Sequence, residues 1–380
     1  MPKRKSIGHY TERLLWAMSA GRCEKCGRIL YMHPINKVVG NFAQIAHNLP
    51  VGKNGPRSEY KTKTINPNAN IDDVNNLLLL CYECHQEIDK IRSNDYPPEK
   101  LAIMKSDFEQ FIYKATELER IVPTFVLKYS PNLHGQQQLI GGIHNALFPD
   151  KVKDKELDIT LKDSQLFVGD PNYWEVEENN LINVFAKRVM PMVEDYKNGF
   201  MNISVFAIGP IPLLVKLGEL LSNKHNIDVY QLKKSPKTWE WETGEEDTEY
   251  KINYIQECSE PKCIVAIFSI SGKVKLEEVQ CAVVWDDALV VEITVDGEPY
   301  DDYLRTKRQL EKFIKCYQIL KEQLRNKSKT GTIVNVFAAI PVSVAVEIGR
   351  QHNSTFDLPL TIYNYEKGKY EKAITIGGTK

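Results

Sequence analysis

Four cysteines near the N-terminus have the spacing of metal ligands. Cys23 and Cys26 form one CxxC pair, and Cys81 and Cys84 form a second pair further along the chain. Each CxxC turn directs two sulfurs to one point, so two turns can supply the four thiolates of a tetrahedral zinc site. The other four cysteines are scattered, which suits a reducing compartment with a structural Zn²⁺ site better than a disulfide framework. We therefore expect a cytoplasmic zinc protein.

Between these pairs, and just after them, lie side chains suited to acid–base chemistry and metal binding. His47 lies in the apolar, strand-like stretch Ile45–Asn48. Asn76 precedes a run of four leucines, and His85 directly follows the second CxxC pair. Imidazole titrates near neutral pH, so it can act as a general base or bind a metal ion. A histidine on an apolar face is, however, most often a hydrogen-bonded core residue, and this alternative stays open for His47.

The order CxxC, His, Asn-Leu-x-x-Leu-CxxC-His resembles the HNH endonuclease family, which has a ββα-metal fold, over roughly residues 20–95. The resemblance implies that His47 is the general base that takes a proton from the water attacking a phosphodiester. It implies that Asn76 orients the base or the metal ion. It also implies that His85 binds a catalytic Mg²⁺ or similar divalent cation, which polarises the phosphate and stabilises the leaving oxyanion.

One position departs from the family pattern. Many members have an acid or a second His immediately before the base, as a metal ligand, and this chain has Ala46 there. The missing ligand is then Gln44, Asn76, a water molecule or a substrate phosphate, and the coordination set is left open.

Basic residues are concentrated in the same part of the chain. Residues 1–65 contain twelve Lys or Arg and three Asp or Glu, a balance of +9, so the net charge of −1 for the whole chain leaves −10 on the remainder. Because neutralising phosphates supplies most non-specific affinity for DNA, this asymmetry favours double-stranded DNA as the partner of the N-terminal module. An ordinary solvated basic face would explain the charge equally well.

Helical patterns follow the second CxxC pair. A helix is predicted over about 86–92 and, after a break at two prolines, an amphipathic helix over about 99–120. On this basis the chain divides into an endonuclease domain, residues 1–95, a connecting helix, residues 96–123, and a C-terminal domain, residues 124–380.

The C-terminal domain contains an internal repeat. Apolar strand runs alternate with helical stretches, which is typical of an α/β fold. Phe206–Gly218 aligns without gaps with Phe337–Gly349, at an offset of 131 residues, and Phe, Ala, Pro and Gly match. Each copy has the pattern strand, Pro turn, helix, polar turn and strand. The sequence therefore predicts two fused Rossmann-like (CARF-like) units, repeat 1 about 124–255 and repeat 2 about 256–380.

The duplicated strand, Pro turn and helix resemble the SAVED domain, a fused pair of CARF-like units, over about residues 124–380. Joined to an HNH module, this is an architecture known for effectors of bacterial CBASS antiphage systems. The resemblance implies that a cyclic di- or oligonucleotide binds the domain and activates the nuclease. Since a duplex break needs two cuts and one module has one site, we also expect a ligand-dependent homo-oligomer, a dimer or higher.

Open α/β units bind ligands at the carboxyl ends of their strands. Predicted strand-end residues that could face the nucleotide are Ser130, Asn132, Pro210, Ser269, Ser271 and Pro341. Lys233 would supply charge for phosphates and Trp239 a ring face for a base. A surface loop with an incidental charge run explains the Lys/Trp stretch equally well, and the prolines could serve only to shape turns. There is no GxGxxG or P-loop Lys motif, which disfavours an ordinary dinucleotide or ATP site.

The sequence thus predicts an α/β protein with a small zinc-stabilised ββα-metal head, acting as a metal-dependent endonuclease that cleaves double-stranded DNA. One alternative is a zinc-containing DNA-binding or regulatory protein without catalysis, which burial of His47 against backbone would favour. A second is an HNH restriction enzyme that reads DNA modification, which the acidic C-terminal balance and the repeat count against. No apolar run approaches the ~20 residues of a membrane span and the N-terminus lacks a secretory signal, so no membrane partner is expected.

Overall fold

The computed structural model of the protein describes residues 7–50, 52, 55–60, 70–116, 122–133, 136–137, 140–159, 166–195, 202–244, 248–328 and 331–378. The chain divides into two compact units, Met1–Ile121 and Val122–Lys380, which are described separately. Within these ranges, no helix is both long enough and apolar enough to cross a membrane.

The N-terminal unit is built on a short antiparallel hairpin followed by a helix. Its elements are α1 (His9–Met18), β1 (Gln44–His47), β2 (Leu77–Leu80), α2 (Tyr82–Gln86), which continues as a π-helical turn (Glu87–Ile91), and α3 (Pro98–Thr116). In the hairpin, Gln44 lies opposite Leu80 and His47 opposite Leu77. All four leucines of β2 are buried, because both faces of this strand are covered, and a strand buried on both faces has no polar alternation.

Helix α3 belongs to the N-terminal unit. Leu101 of α3 is fully buried in the same core as Leu15 of α1 and the leucines of β2. Lys105, one turn further on, is also buried and its ammonium group lies 3.4 Å from a carboxylate oxygen of Glu24. The predicted connecting helix, residues 96–123, thus includes α3, whose first turns pack in this core through Leu101 and Met104.

The C-terminal unit contains two sheets with predominantly parallel strands. Its helices are α4 (Ile143–Leu147), α5 (Tyr173–Val184), which continues as a π-helical turn (Phe185–Val189), α6 (Met190–Asp195), α7 (Ile211–Leu221), α8 (Leu276–Ala282), α9 (Lys307–Lys327) and α10 (Val342–Arg350). Its strands are β3 (Val122–Tyr129), β4 (Asn132–Leu133), β5 (Gln136–Gln137), β6 (Lys151–Asp158), β7 (Asn202–Ala207), β8 (Asn226–Tyr230), β9 (Lys233–Lys234), β10 (Lys237–Thr238), β11 (Tyr250–Gln256), β12 (Cys263–Ser269), β13 (Ala288–Val295), β14 (Val334–Ala339), β15 (Leu360–Glu366) and β16 (Lys369–Ile376).

The first sheet has the order β6-β3-β7-β8 and is entirely parallel. The second has the order β11-β13-β12-β14-β15-β16, in which the four inner strands are parallel and both edge strands are antiparallel. The central strands β7 and β12 are almost completely buried, since helices pack on both faces of parallel sheets. The predicted α/β class is confirmed.

The two aligned sequence segments form equivalent strand–helix pairs, β7–α7 and β14–α10, whose helices pack against each other. A Cβ atom on Gly218 would lie 2.0 Å from the carbonyl oxygen of Val346. A Cβ atom on Gly349 would lie 1.9 Å from the carbonyl oxygen of Val215. The repeat offset maps Gly218 onto Gly349 and Val215 onto Val346, so the two contacts are reciprocal. The matched glycines therefore allow a close, locally two-fold crossing of the two repeats.

Candidate functional site

The four predicted zinc ligands converge. Their Sγ atoms all lie within 4.8 Å of one another, and those of Cys26 and Cys81 are 3.8 Å apart. In a tetrahedron with Zn–S bonds of about 2.3 Å, neighbouring sulfurs are about 3.8 Å apart, so the four thiols fit a zinc ion. The first CxxC turn ends at Gly27, whose φ of 73° a residue with a side chain rarely adopts, and the second begins at Cys81, which caps α2.

Burial makes two of these thiols poor anions on their own. It raises the pKa of Cys81 to about 11, and it also raises the pKa of Cys84. A divalent cation between the sulfurs would offset this cost and keep all four as thiolates, which is why metal binding of this kind is coupled to folding. The chemistry of the donor set therefore fits zinc as a structural ion.

Glu24 joins the first CxxC turn to the hairpin through hydrogen bonds and to α3 through a buried ion pair with Lys105. The backbone N–H of Glu24 donates to the carbonyl of Leu79, and the N–H of Leu79 donates to the Glu24 carboxylate. Burial raises the pKa of Glu24 to about 7, and Lys105 opposes that shift. The sequence analysis missed this pair because its members are far apart in the chain.

His47 lies at the end of β1 with its side chain largely buried, 8% exposed. Its Nε2 lies 2.8 Å from a carboxylate oxygen of Asp72, in the segment that leads into β2. A carboxylate partner holds an imidazole ring in one orientation and stabilises its protonated form. Burial by itself fits a structural histidine, whereas the carboxylate partner fits a base.

Asn76, directly before β2, ties together the segments on either side of the hairpin. Its amide group donates to the carbonyls of Leu49 and Ile71, and its amide oxygen accepts from the N–H of Leu49. Its own carbonyl accepts from the N–H of Asn48. These contacts fix the backbone just after His47.

His85 lies on α2, where its Nε2 is 3.1 Å from a carboxylate oxygen of Asp89. Residues four apart lie on one face of a helix, so the two side chains can be held together towards one ion. The other ring nitrogen of His85 is buried and has no hydrogen-bond partner among the described groups. Burial alone would raise the pKa of Asp89, but hydrogen bonds with His85 and Arg57 lower it.

Arg57 links the two candidate catalytic histidines. This residue is 4% exposed, and its guanidinium group donates to the carbonyls of His47 (3.1 Å) and Asn48 (2.8 Å). It also donates to Asp89, 2.7 Å away, which in turn contacts His85. The backbone of Arg57 has a φ of 64°, and such a conformation persists in a non-glycine residue only where surrounding contacts hold it.

Three residues at this centre, Arg57, Asp72 and Asp89, were missed from the sequence. Only Asp89 carries a local signal, because it follows His85 at helical spacing. The pair His85 and Asp89 offers one imidazole and one carboxylate, and Mg²⁺ is usually bound by one or two carboxylates together with water and substrate phosphate. Ala46 is buried and has no side-chain atom that can bind a metal ion. The position directly before His47 therefore supplies no metal ligand.

The C-terminal unit has a cavity of about 470 Å³ at the carboxyl ends of its parallel strands. Ile208 follows β7, Ser271 follows β12 and Pro341 follows β14, and all three line the cavity. The hairpin β9–β10 forms another wall, and an adjoining cavity of about 1040 Å³ lies against the same hairpin. Both repeats therefore contribute to one cleft, as the strand-end argument predicts.

Some of the residues predicted to bind the nucleotide line the cavity, and others do not. Pro210 and Pro341 cap α7 and α10 in extended backbone conformations, and Pro341 lines the cavity. Lys233 also lines it, but this residue is 3% exposed and its ammonium group donates to Glu242 at 3.0 Å. Asn132 lies in β4, and its side chain falls outside the described residues.

Three of the predicted ligand residues are core residues. Trp239 is 2% exposed and packs edge-on against Phe206, with ring centroids 5.2 Å apart. Ser130 is buried and donates to the carbonyl of the next residue. Ser269 is buried and donates to Glu292 at 2.6 Å. Burial removes the large apolar surface of the Trp239 indole from water and leaves little of the ring exposed to a base, although Trp239 is among the residues that line the adjoining cavity.

The acidic residues around the cavity were missed from the sequence. Glu242 accepts from Lys233 and Arg305, and these hydrogen bonds lower the pKa of Glu242 to about 2. Asp301 and Asp302 line the cavity beside Lys233. Nothing local connects these residues, since the chain between Glu242 and Arg305 includes three strands and a helix.

The C-terminal unit is thus an α/β domain of two related repeats with a ligand-sized cleft at the carboxyl ends of their strands. The family model of SAVED, described as the SMODS-associated and fused to various effectors sensor domain, matches residues 181–376, just over half of the chain. The chain belongs to the SAVED family.

Solved structures with a similar fold come from the same family. They include the Acinetobacter baumannii Cap4 SAVED/CARF-domain containing receptor with the cyclic trinucleotide 2'3'3'-cAAA (TM-score 0.39, 14% identity, 73% of this chain and 59% of that one). The same receptor with 3'3'3'-cAAA has a TM-score of 0.38, at 14% identity and with the same coverage of each chain. The Moraxella osloensis Cap4 receptor has a TM-score of 0.35, at 15% identity over 73% of this chain and 58% of that one. The chain thus spans less than two thirds of the length of these receptors, and no curated protein matches it.

Proposed function

We propose that this protein is a cyclic-nucleotide-activated endonuclease of antiphage defence, in which the SAVED unit senses the nucleotide and the N-terminal unit cleaves double-stranded DNA. The observation that carries the proposal is the pairing of a SAVED sensor, a domain found fused to effectors, with a unit that has its own candidate catalytic centre. In that centre, a four-thiol cluster supports a hairpin and helix that carry His47 and His85.

In the proposed reaction, His47 accepts a proton from the water that attacks the phosphodiester. Asp72 holds the imidazole ring and stabilises the imidazolium that forms. His85 and Asp89 would hold a divalent cation, which polarises the phosphate and stabilises the leaving oxyanion. Arg57 holds the end of β1 and the π-helical turn after α2 together through hydrogen bonds to His47 and Asp89. In the proposed centre, the base and the metal ligands then act on the same phosphate.

The proposed activator is a cyclic di- or oligonucleotide bound in the cleft of the SAVED unit. The cleft is of a size typical for small ligands and its wall includes Lys233, Lys234 and Lys237. The Acinetobacter baumannii Cap4 receptor was solved with two cyclic trinucleotides, which we choose as first probes. A ligand can switch the nuclease on only if it binds the active state more tightly than the inactive one.

Self-association would complete the proposed mechanism. A duplex break needs two cuts, and the described part of one chain contains one candidate centre. We therefore expect that nucleotide binding assembles a dimer or a higher oligomer, in which two centres act on one duplex.

The test is a plasmid cleavage assay with the full-length protein, Mg²⁺ and a panel of cyclic di- and trinucleotides that includes 2'3'3'-cAAA and 3'3'3'-cAAA. We expect linear DNA only when Mg²⁺ and one of the nucleotides are both present. His47→Ala should abolish cleavage and leave nucleotide binding unchanged, whereas His33→Ala, a histidine of the same unit outside the hairpin, should cleave normally.

Two results would contradict the proposal. Full cleavage without any nucleotide would refute the sensor, and cleavage by His47→Ala at the wild-type rate would remove this histidine from the reaction. If no condition yields cleavage but the protein binds DNA, the alternative of a zinc-containing DNA-binding protein without catalysis would replace the nuclease.

A further inference from the structure

The carboxylate of Asp302 lies where an anionic ligand would be expected to bind. It accepts hydrogen bonds from two successive backbone N–H groups, those of Lys234 (2.9 Å) and Ser235 (3.3 Å). It also accepts from the guanidinium group of Arg305 at 2.8 Å. Successive backbone N–H groups that point to one spot form a concave anion site, and a guanidinium group adds charge-assisted hydrogen bonds.

A second carboxylate completes this arrangement. Glu242 accepts from the ammonium group of Lys233 at 3.0 Å and from Arg305 at 2.8 Å. Lys233 is buried except for a few per cent of its surface, so its charge needs a partner. Arg305 therefore contacts both carboxylates. Asp302 and Glu242 together accept hydrogen bonds from all of these donor groups.

Two of the residues that supply these donors, Lys233 and Lys234, line the cleft. Lys233, Lys234 and Asp302 line the cavity at the strand ends, and Lys233 and Glu242 line the adjoining one. Asp302 has a φ of 64°, a conformation that L residues rarely adopt and that its three donors help to hold. A phosphodiester carries the same charge as a carboxylate and accepts hydrogen bonds in the same way.

We propose that Lys233, Arg305 and the N–H groups of Lys234 and Ser235 form a phosphate subsite, in which Asp302 and Glu242 hold the donors until a ligand phosphodiester displaces them. This inference rests on the proposed function and adds to it a specific phosphate site and a competitor for that site. The two carboxylates lower the affinity for any single phosphate. A cyclic nucleotide can overcome this competition because its other groups bind elsewhere in the cleft, so free phosphate does not trigger the response.

The experiment compares charge-neutralising variants of the full-length protein. Asp302→Asn and Glu242→Gln remove the competing charges and keep a hydrogen-bond acceptor, and asparagine tolerates the positive φ at position 302. Asp296→Asn is the matched control, because this exposed carboxylate lines neither cavity and contacts only the Lys251 ammonium group among the described contacts. Inorganic phosphate binding is followed by ³¹P NMR, and binding of 2'3'3'-cAAA and 3'3'3'-cAAA by calorimetry.

We expect Asp302→Asn and Glu242→Gln to bind inorganic phosphate about tenfold more tightly than the wild type, which corresponds to about 1.4 kcal/mol. Asp296→Asn should stay within about twofold of the wild type, because the same loss of charge there leaves the donors occupied. Arg305→Lys in the Asp302→Asn background should reverse the gain, because lysine lacks the forked donor geometry.

The outcomes separate this inference from the proposed function. If the wild type binds neither trinucleotide nor any other member of the panel while Asp302→Asn binds phosphate more tightly, the subsite stands and the proposed activator fails. If the wild type binds a nucleotide but neither carboxylate variant gains affinity for phosphate or nucleotide, the subsite is refuted. A lower melting temperature with unchanged or weaker binding would also refute it, because the carboxylates would then only brace the hairpin.

Discussion

Replacing Arg57 with methionine tests whether the candidate catalytic centre depends on this one side chain. Methionine keeps the apolar part of the side chain and removes every donor of the guanidinium group. Asp89 would lose its 2.7 Å partner, and the carbonyls of His47 and Asn48 would lose theirs. Removing one partner of a buried ion pair costs about 3–5 kcal/mol, and because Asp89 keeps His85 we expect about 3 kcal/mol.

The loss should be confined to the N-terminal unit. Hydrogen exchange at the buried β2 amides of the full-length protein measures the opening free energy of this unit directly. Arg57→Met should lower that free energy by about 3 kcal/mol and abolish DNA cleavage, while nucleotide binding by the SAVED unit stays unchanged. Arg28→Met, which removes an arginine from the exposed pair with Glu83, should cost less than about 1 kcal/mol.

Two further measurements show whether Asp89 is the partner that matters. Adding Asp89→Asn to Arg57→Met should cost less than the sum of the single changes, because the unpaired charge is then gone. The lowered pKa of Asp89 stabilises the folded unit above the unfolded value of about 3.9, and this stabilisation is lost as the pH falls through the folded value. Arg57→Met should weaken that pH dependence. Unchanged protection of the β2 amides in Arg57→Met would refute the reasoning.

Three other predictions concern the zinc cluster, the repeat contact and the partner. Cys84→Ser should lose zinc and unfold the N-terminal unit, because structural zinc supplies ~10–16 kcal/mol of folding free energy in finger peptides. The control Cys258→Ser should keep its zinc. Stoichiometric zinc in Cys84→Ser, measured by atomic absorption, would contradict the four-thiolate site. Gly218→Ala should destabilise the SAVED unit by at least about 2 kcal/mol in calorimetry, because the added Cβ atom would clash with the carbonyl oxygen of Val346. The control Gly244→Ala should be neutral, because a Cβ atom added there has no heavy atom within 4 Å. Affinity for DNA should fall steeply between 50 and 200 mM salt, by about 10³-fold or more if six or more phosphates are contacted, and a flat salt dependence would argue against the basic N-terminal unit as the binding surface.

Features with short-range causes could be predicted from the sequence. A CxxC turn brings two sulfurs together by local geometry alone, and two such turns need only one hairpin to meet, so the convergence of Cys23, Cys26, Cys81 and Cys84 followed from their spacing. The repeat was predictable for a related reason. Strand, turn and helix are encoded by periodicity and by single Pro and Gly residues, and the same pattern occurs twice at a fixed offset.

The partners of the candidate catalytic residues could not be predicted in this way. Arg57 contacts Asp89 across 32 positions, and His47 contacts Asp72 across 25. A charged side chain in a polar loop has the same local signature whether it is solvated or buried. Only the folded chain decides this, because the free energy of a buried charge depends on whether a partner is present when water is removed.

The cleft of the SAVED unit also combines features that the sequence predicts with features that only tertiary contacts determine. The sequence identified a stretch of lysines and tryptophans after β8 but could not tell which side chains face the ligand. Tertiary packing placed Trp239 in the core, where its apolar area is most stabilising, and left Lys233 at the cavity, paired with Glu242. It also brought Asp302, 68 positions further along the chain, onto the N–H of Lys234. Composition and periodicity determined that a domain of this class forms, whereas long-range packing and charge pairing decided which residues could bind a phosphate.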